Sequence, residues 1–215
     1  MTTTHTTTAI PDTRLAKEAT EILREHATDL IFNHSMRVYL FAAEQGRQDK
    51  LQFDPELLYV SAAFHDLGLT ESFSSSDERF EVDGANAARQ FLAIHKIPEK
   101  QIQVAWRAIA LHTTPGVTQY MEPEVALLFS GVGLDVLGDG FDVFPSDVRE
   151  EVVAAYPRID FKAGIVKAFF GGFAHKPAST WGTVKADVCE RFIAGYKSPN
   201  FCDLIANSPF ANSNA

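Results

Sequence analysis

Cysteine is scarce in this sequence, and long apolar runs are absent. The 215 residues include only Cys189 and Cys202, which do not form a Cys-x-x-Cys unit. This excludes a cysteine-rich zinc site and is typical of a reducing compartment. No apolar stretch approaches the roughly 20 residues of a membrane-spanning helix. The first eight residues, 1–8, lack the basic and apolar regions of a secretory signal. We therefore expect a cytoplasmic protein.

Positive charge is also in deficit. There are 19 Lys and Arg residues against 28 Asp and Glu residues, a net charge of −9. This balance argues against a general binder of nucleic acid or of anionic membranes. A small anionic substrate is still compatible with this charge, because a bound metal ion would make the local electrostatic potential positive. The expected partner is a small molecule, and the sequence leaves a homo-oligomer open.

Apolar side chains recur at helical spacing through most of the chain, and strand-like alternation is limited to a few residues. We predict an all-α fold, a compact multi-helix bundle with a metal site between helices. Residues 1–12 are predicted to be a disordered segment, 13–195 one helical domain, and 196–215 a tail packed on the surface. The predicted helices span about 12–27, 29–46, 54–68, 80–94, 98–112, 123–137, 146–156, 161–174 and 180–194.

The stretch 54–68 ends in two side chains that can bind a metal. Asp54 is a good N-cap, and its helix carries an apolar face that continues to His65. Gly68 is predicted to end the helix in a left-handed cap. Burying the imidazole of His65 and the carboxylate of Asp66 is costly unless a partner receives them. A metal cation is one such partner, and a core histidine bonded to a capping aspartate is the other interpretation.

Two further helices carry residues of the same kind at inward-facing positions. His34 fills a gap in the apolar stripe of 29–46, and Asp135 keeps helical phase near the end of its helix. Together with His65 and Asp66 they form a set of two imidazoles and two carboxylates. Such a set suits zinc, iron(II) or manganese, and cores of helix bundles commonly hold such sites. We predict one divalent ion, with zinc as the first choice.

The order His…His-Asp…Asp of these four residues resembles that of the HD-domain superfamily of metal-dependent hydrolases. The segments NHSMR at 33–37 and AFHDLG at 63–68 match it locally. The resemblance covers roughly 30–137 and implies an all-α fold in which these four residues hold the metal.

Within this superfamily the segments RFEVDGA at 79–85, AIALHTT at 108–114 and GLDVLG at 133–138 resemble the cyanamide hydratase-like branch. The resemblance implies a lyase that adds water to the nitrile of cyanamide and forms urea. Enzymes of the superfamily with two metals carry a histidine where this chain has Phe80, which disfavours a dinuclear centre. Its nucleotidases often carry a glutamate where this chain has Leu69, which disfavours nucleotide hydrolysis.

The implied mechanism uses a metal-bound hydroxide and a proton donor for the nitrile nitrogen. His112 and Asp66 are the catalytic candidates, and His112 is predicted to carry the proton. The other interpretation of His112 is a histidine that caps helix carbonyls. Glu81 either orients an imidazole or is a solvated charge, and His175 either covers the pocket or only ends a helix.

Two other functions stay open from the sequence. An HD phosphohydrolase acting on a nucleotide or phosphate ester would need a basic clamp, for which Arg37 and Arg79 are the nearby residues. A non-catalytic helical module would use the metal only to hold its helices together. Trp106 and Phe73 either line the substrate pocket or pack in the core.

Overall fold

The computed structural model of this chain describes residues 8–176, 179, 195, 197 and 199–212. Over these residues the secondary structure is helical and contains no strand, so the predicted all-α fold is confirmed. The predicted helix over 180–194 lies outside the described residues. The helices are α1 (Arg14–His26), α2 (Asp29–Gln48), α3 (Pro55–Phe64), α4 (Phe80–Ile94), α5 (Glu99–Leu111), α6 (Pro123–Leu137), α7 (Ser146–Ala155), α8 (Phe161–Phe173) and α9 (Phe201–Ala206).

Local signals place most helix starts. Asp54 caps α3 as predicted, because its side chain accepts hydrogen bonds from the backbone N–H groups of Glu56 and Leu57. Gly46 was predicted to be the last residue of the helix over 29–46, but α2 continues for two more residues. Ser146, an N-cap candidate by residue type, is instead the first residue of α7, and Pro145 is its N-cap.

The physical role of Gly46 is close packing within a continuing helix. A Cβ atom there would lie 2.6 Å from the Phe53 ring, so glycine lets the link after α2 fold back against it. Gly131 has the same role between α6 and α2, where a Cβ atom would lie 2.5 Å from the Val38 carbonyl oxygen. The two helices therefore run close together at this point. Asp135 lies one turn after this point on α6, and His34 lies one turn before it on α2.

Both ends of the described chain contact the helical core. Thr8 donates a hydrogen bond to Glu44 at 3.1 Å, and Tyr39 donates one to the Ala9 carbonyl oxygen at 3.2 Å. Residues 1–7 of the predicted N-terminal segment lie outside the described residues. In the predicted tail, Ile205 and Phe210 are buried in the core. Within the described ranges, no helix combines the length and apolar character needed to cross a bilayer.

Candidate metal centre

The turn after α3 presents His65 and Asp66 in the interior. Helix α3 ends at Phe64, and the chain then passes through Asp66 into a short 3-10 turn, Leu67–Leu69. Gly68 lies in that turn and is not among the glycines with positive φ, so the predicted left-handed cap is wrong. It is needed because a side chain would collide with the Phe80 carbonyl at the start of α4. The turn is therefore shaped by packing against α4.

Three imidazoles around this turn are fixed through their Nδ1 atoms. His34 Nδ1 lies 2.6 Å from a carboxylate oxygen of Asp135. His65 Nδ1 and His112 Nδ1 lie 2.8 and 2.6 Å from backbone carbonyl oxygens three residues earlier. Because carbonyl and carboxylate oxygens only accept, this network assigns the proton of each neutral ring to Nδ1. Each Nε2 then carries a lone pair.

The three Nε2 atoms converge on the carboxylate of Asp66. His65 Nε2 and His34 Nε2 lie 3.4 and 3.5 Å from Asp66 Oδ2, and 3.2 Å from each other. His112 Nε2 lies 3.6 Å from Asp66 Oδ1. All four side chains are at most 2% exposed. Donor atoms of His34, His65 and Asp66 lie within 4.8 Å of one another, close enough for one ion to join them.

The donor set fits a divalent cation. Asp66 is 1% exposed, yet nothing among the described residues donates a hydrogen bond to either of its carboxylate oxygens. A buried carboxylate without a partner is costly, and so are two nitrogen lone pairs that face each other. A cation between them removes both costs, since imidazole nitrogens and carboxylate oxygens are common zinc ligands. This geometry also disfavours the other interpretation, an aspartate bonded to a core histidine.

The protonation states agree with metal binding. Burial lowers the pKa of His65 to about 3, so its imidazole is neutral near pH 7. Burial by itself would raise the pKa of Asp66, but the adjacent imidazoles, His65 foremost, hold it below its usual value. The site therefore offers an ionised carboxylate beside a neutral imidazole. These are the forms that coordinate a metal ion.

Asp135 lies behind His34, on the side away from Asp66. Its carboxylate accepts hydrogen bonds from the Nδ1–H of His34 and from Arg37, whose Nε and Nη2 lie 2.7 and 2.9 Å away. Burial favours the neutral acid, yet the guanidinium groups of Arg37 and Arg158 keep the pKa of Asp135 well below its usual value. The structure thus brings three predicted ligands together and places Asp135 against one of them. There it fixes the tautomer and orientation of His34.

Arg158, just before α8, was missed by the sequence reasoning. Its Nη1 donates to the carboxylate and to the backbone carbonyl of Asp135, at 2.6 and 2.8 Å. Its guanidinium stacks on the rings of Phe161 and Phe210, at 4.2 and 4.4 Å from their centroids. Burial lowers its pKa to about 10, so it stays charged near pH 7. A lone arginine in a Pro-Arg-Ile-Asp segment carries no periodic signal that could have identified it.

His112 makes the contact of a helix-capping histidine with one ring nitrogen and leaves the other beside Asp66, so its predicted catalytic role stays a prediction. Its Nδ1–H donates to the last turn of α5, while its Nε2 faces Asp66. Glu81 follows neither interpretation, since it is 4% exposed and accepts from Arg79 and from the Thr113 hydroxyl. His175 is exposed, with its Nε2 3.2 Å from the carbonyl oxygen of Ser75.

A cavity of about 260 Å³ opens onto this centre. Its inner end is formed by His34, Asp66 and His112. Among the described residues, further polar side chains in the wall are Thr113 and Asp139, and the others are Pro115, Phe129, Val132, Gly133, Val136, Leu137, Phe169, Phe201 and Leu204.

Trp106 and Phe73, for which the sequence left pocket lining and core packing open, are not in the described wall of this cavity. The indole N–H of Trp106 donates to Asn86 at 2.9 Å. Phe73 packs edge-on against the His26 ring, with 5.0 Å between centroids. Both residues are partly buried against the core, in agreement with the packing interpretation.

The two arginines considered for a phosphate clamp have other partners. Arg37 is fully buried, and besides Asp135 it binds the carbonyl oxygens of Tyr156 and Pro157 through Nη1. Arg79 is half exposed and forms an ion pair with the buried Glu81. Neither guanidinium is placed to receive a phosphate beside Asp66.

Comparison with known proteins identifies the family of the chain. Among curated proteins, none matches this sequence. The family model described as HD domain matches residues 31–154, more than half of the chain, and members of that family are typically metal-dependent hydrolases. The matched range contains His34, His65, Asp66 and His112. The chain belongs to the HD domain family.

Proposed function

We propose that this protein is a metal-dependent hydratase that adds water to a small nitrile, with cyanamide and its product urea as the first pair to test. One observation carries the proposal. The carboxylate of Asp66, to which no described residue donates a hydrogen bond, lies among three imidazole Nε2 atoms at the closed end of a largely apolar cavity. In this proposal His34, His65 and Asp66 bind one divalent ion, zinc in the first place, and the cavity holds the substrate.

The reaction is H₂N–C≡N + H₂O → H₂N–CO–NH₂. A divalent ion held by His34, His65 and Asp66 would lower the pKa of water toward neutrality. The cavity wall excludes bulk water and keeps the linear nitrile in line with the attacking oxygen. His112 serves as the proton carrier, since its Nε2 faces the cavity and its Nδ1–H is tied to a backbone carbonyl. It takes a proton from water and delivers it to the nitrile nitrogen as the remaining OH bonds to carbon, which gives isourea. Transfer of the hydroxyl proton to the same nitrogen then gives urea.

Two features favour an uncharged substrate over a phosphate ester. Arg37 binds Asp135 and Arg79 is paired with Glu81, so among the described residues neither of these arginines supports the basic clamp of a phosphohydrolase. The walls of the cavity are mostly apolar and would desolvate a phosphate without compensation. A purely structural metal would be enclosed by protein ligands, whereas this centre borders a cavity, as a catalytic site does.

The proposal is tested by measuring urea formation from cyanamide with purified protein of known metal content. His65→Ala should lose both the metal and the activity, while His112→Asn should keep the metal and lose most of the activity. His175→Ala is the matched control, because it removes an exposed imidazole outside the cavity. Both its metal content and its activity should stay at the wild-type level.

Three other results would contradict the proposed hydratase. Stoichiometric metal without urea would rule out cyanamide, and phosphate release from a nucleotide panel would then favour the phosphohydrolase. Stoichiometric metal with no turnover of either substrate class, together with a large fall in melting temperature on chelation, would favour the structural module. Absence of metal from wild-type protein after reconstitution would refute the centre itself.

A further inference from the structure

We infer that the substrate of this site is an organic nitrile with an apolar substituent, larger than cyanamide. The inference rests on the proposed nitrile hydration and specifies its substrate class. The corresponding reaction is R–C≡N + H₂O → R–CO–NH₂, in which R is an alkyl or aryl group.

The size of the cavity is the first argument. Its volume of about 260 Å³ corresponds to roughly nine water molecules at about 30 Å³ each. Cyanamide has three non-hydrogen atoms and would leave most of this space to water. Water beside a largely apolar wall forms few hydrogen bonds and is displaced with a gain by an apolar group. A substituent on the nitrile carbon would occupy that space.

The distribution of polar groups is the second argument. His34, Asp66 and His112 lie together at one end, where the nitrile must react. Apolar side chains from α6, α8 and α9 form most of the rest of the described wall, in which Thr113 and Asp139 are the polar exceptions. A ligand that matches this wall is polar at one end and apolar at the other. Cyanamide, which carries an amino group in place of R, matches the polar end alone.

Helix α9 supplies the residues that would select the substituent. Phe201 and Leu204 line the cavity and are still 46% and 45% exposed, so they lie between the cavity and solvent. A second cavity, also of about 260 Å³, shares Thr113, Phe169 and Phe201 with the first. The two spaces therefore adjoin at Phe201. A longer substituent would extend past this ring into the second cavity.

The test compares alkyl nitriles of increasing length, because their nitrile groups have similar intrinsic reactivity. Each buried methylene should raise kcat/KM roughly fourfold, so hexanenitrile should exceed acetonitrile at least tenfold and by up to about 200-fold. Phe201→Ala should at least halve the logarithm of the ratio of kcat/KM for hexanenitrile to kcat/KM for acetonitrile.

Phe170→Ala is the matched control for Phe201→Ala. Phe170 is a 68% exposed phenylalanine on α8 that does not belong to the described lining of either cavity. Its replacement should leave the dependence on chain length unchanged. Binding of hexanamide and acetamide to the metal-free protein, measured by calorimetry, provides a readout independent of turnover. Hexanamide should bind at least tenfold more tightly.

The outcomes separate this inference from the proposed function. Hydration of cyanamide with no gain from acetonitrile to hexanenitrile would overturn the inference and leave the hydratase in place. If no nitrile is hydrated, the proposed function fails. Amide binding then tests separately whether the cavity prefers a ligand with an apolar substituent, and equal binding of the two amides would overturn this preference.

Discussion

The anchor formed by Asp135 and its two arginines gives the sharpest prediction about stability. Asp135 and Arg37 are fully buried, and Arg158 is 1% exposed. Asp135→Asn keeps the shape of the side chain but removes the only negative charge of this three-residue cluster. Breaking a buried ion pair from one side costs about 3–5 kcal/mol, because a buried charge loses the opposite charge beside it. We expect the free energy of unfolding to fall by about 3–5 kcal/mol.

The assay is chemical denaturation of metal-free protein, followed by circular dichroism in the presence of a chelator. Asp142→Asn is the matched control, since Asp142 is exposed and should change stability by less than about 0.5 kcal/mol. A loss below about 1 kcal/mol for Asp135→Asn would refute the reasoning. Destabilisation seen only in metal-loaded protein would instead assign Asp135 to the ligands, as the sequence predicted.

Two further predictions concern packing and pH. Gly84→Ala should lower the free energy of unfolding by about 1–3 kcal/mol, because its Cβ would lie 2.7 Å from the Phe64 carbonyl oxygen. Gly171→Ala, with no described atom within 4 Å of the added Cβ, should be neutral or stabilising; equal losses in both variants would refute the packing argument. Because the pKa of His65 falls from 6.5 to about 3 on folding, only the unfolded chain binds its proton between these values. Metal-free protein should therefore lose up to about 1.4 kcal/mol per pH unit as pH falls through that window, and His65→Gln should flatten this slope in a denaturation series from pH 7 to 4.

Local features explain why several helix boundaries were predictable. Asp54 and Pro55 define the start of α3 through a side-chain cap and a missing N–H, both of which act within one turn. Helix α4 runs from Phe80 to Ile94, as its periodicity predicts. Gly68 was misread because its role comes from α4 packing against the turn, which no pattern within 54–68 reveals.

The components of the centre were also predictable, since a ligand-capable residue on an apolar helix face is unusual. His34, His65 and Asp66 were identified in this way, and so was His112 at the end of its helix. Their arrangement was not predictable. The tautomer of His65 depends on a carbonyl in its own helix, whereas that of His34 depends on Asp135, 101 residues away.

The sequence by itself determined the helical class, the HD order of residues and the type of donor atoms, because periodicity, caps and side-chain chemistry are local properties. Only the tertiary structure decided that Asp135 lies behind His34, that Arg158 balances its charge, and that α8 and α9 supply walls of the cavity. These relations join positions far apart in the chain. They exist only once the helices have packed, since hydrogen bonds and burial depend on distance in space.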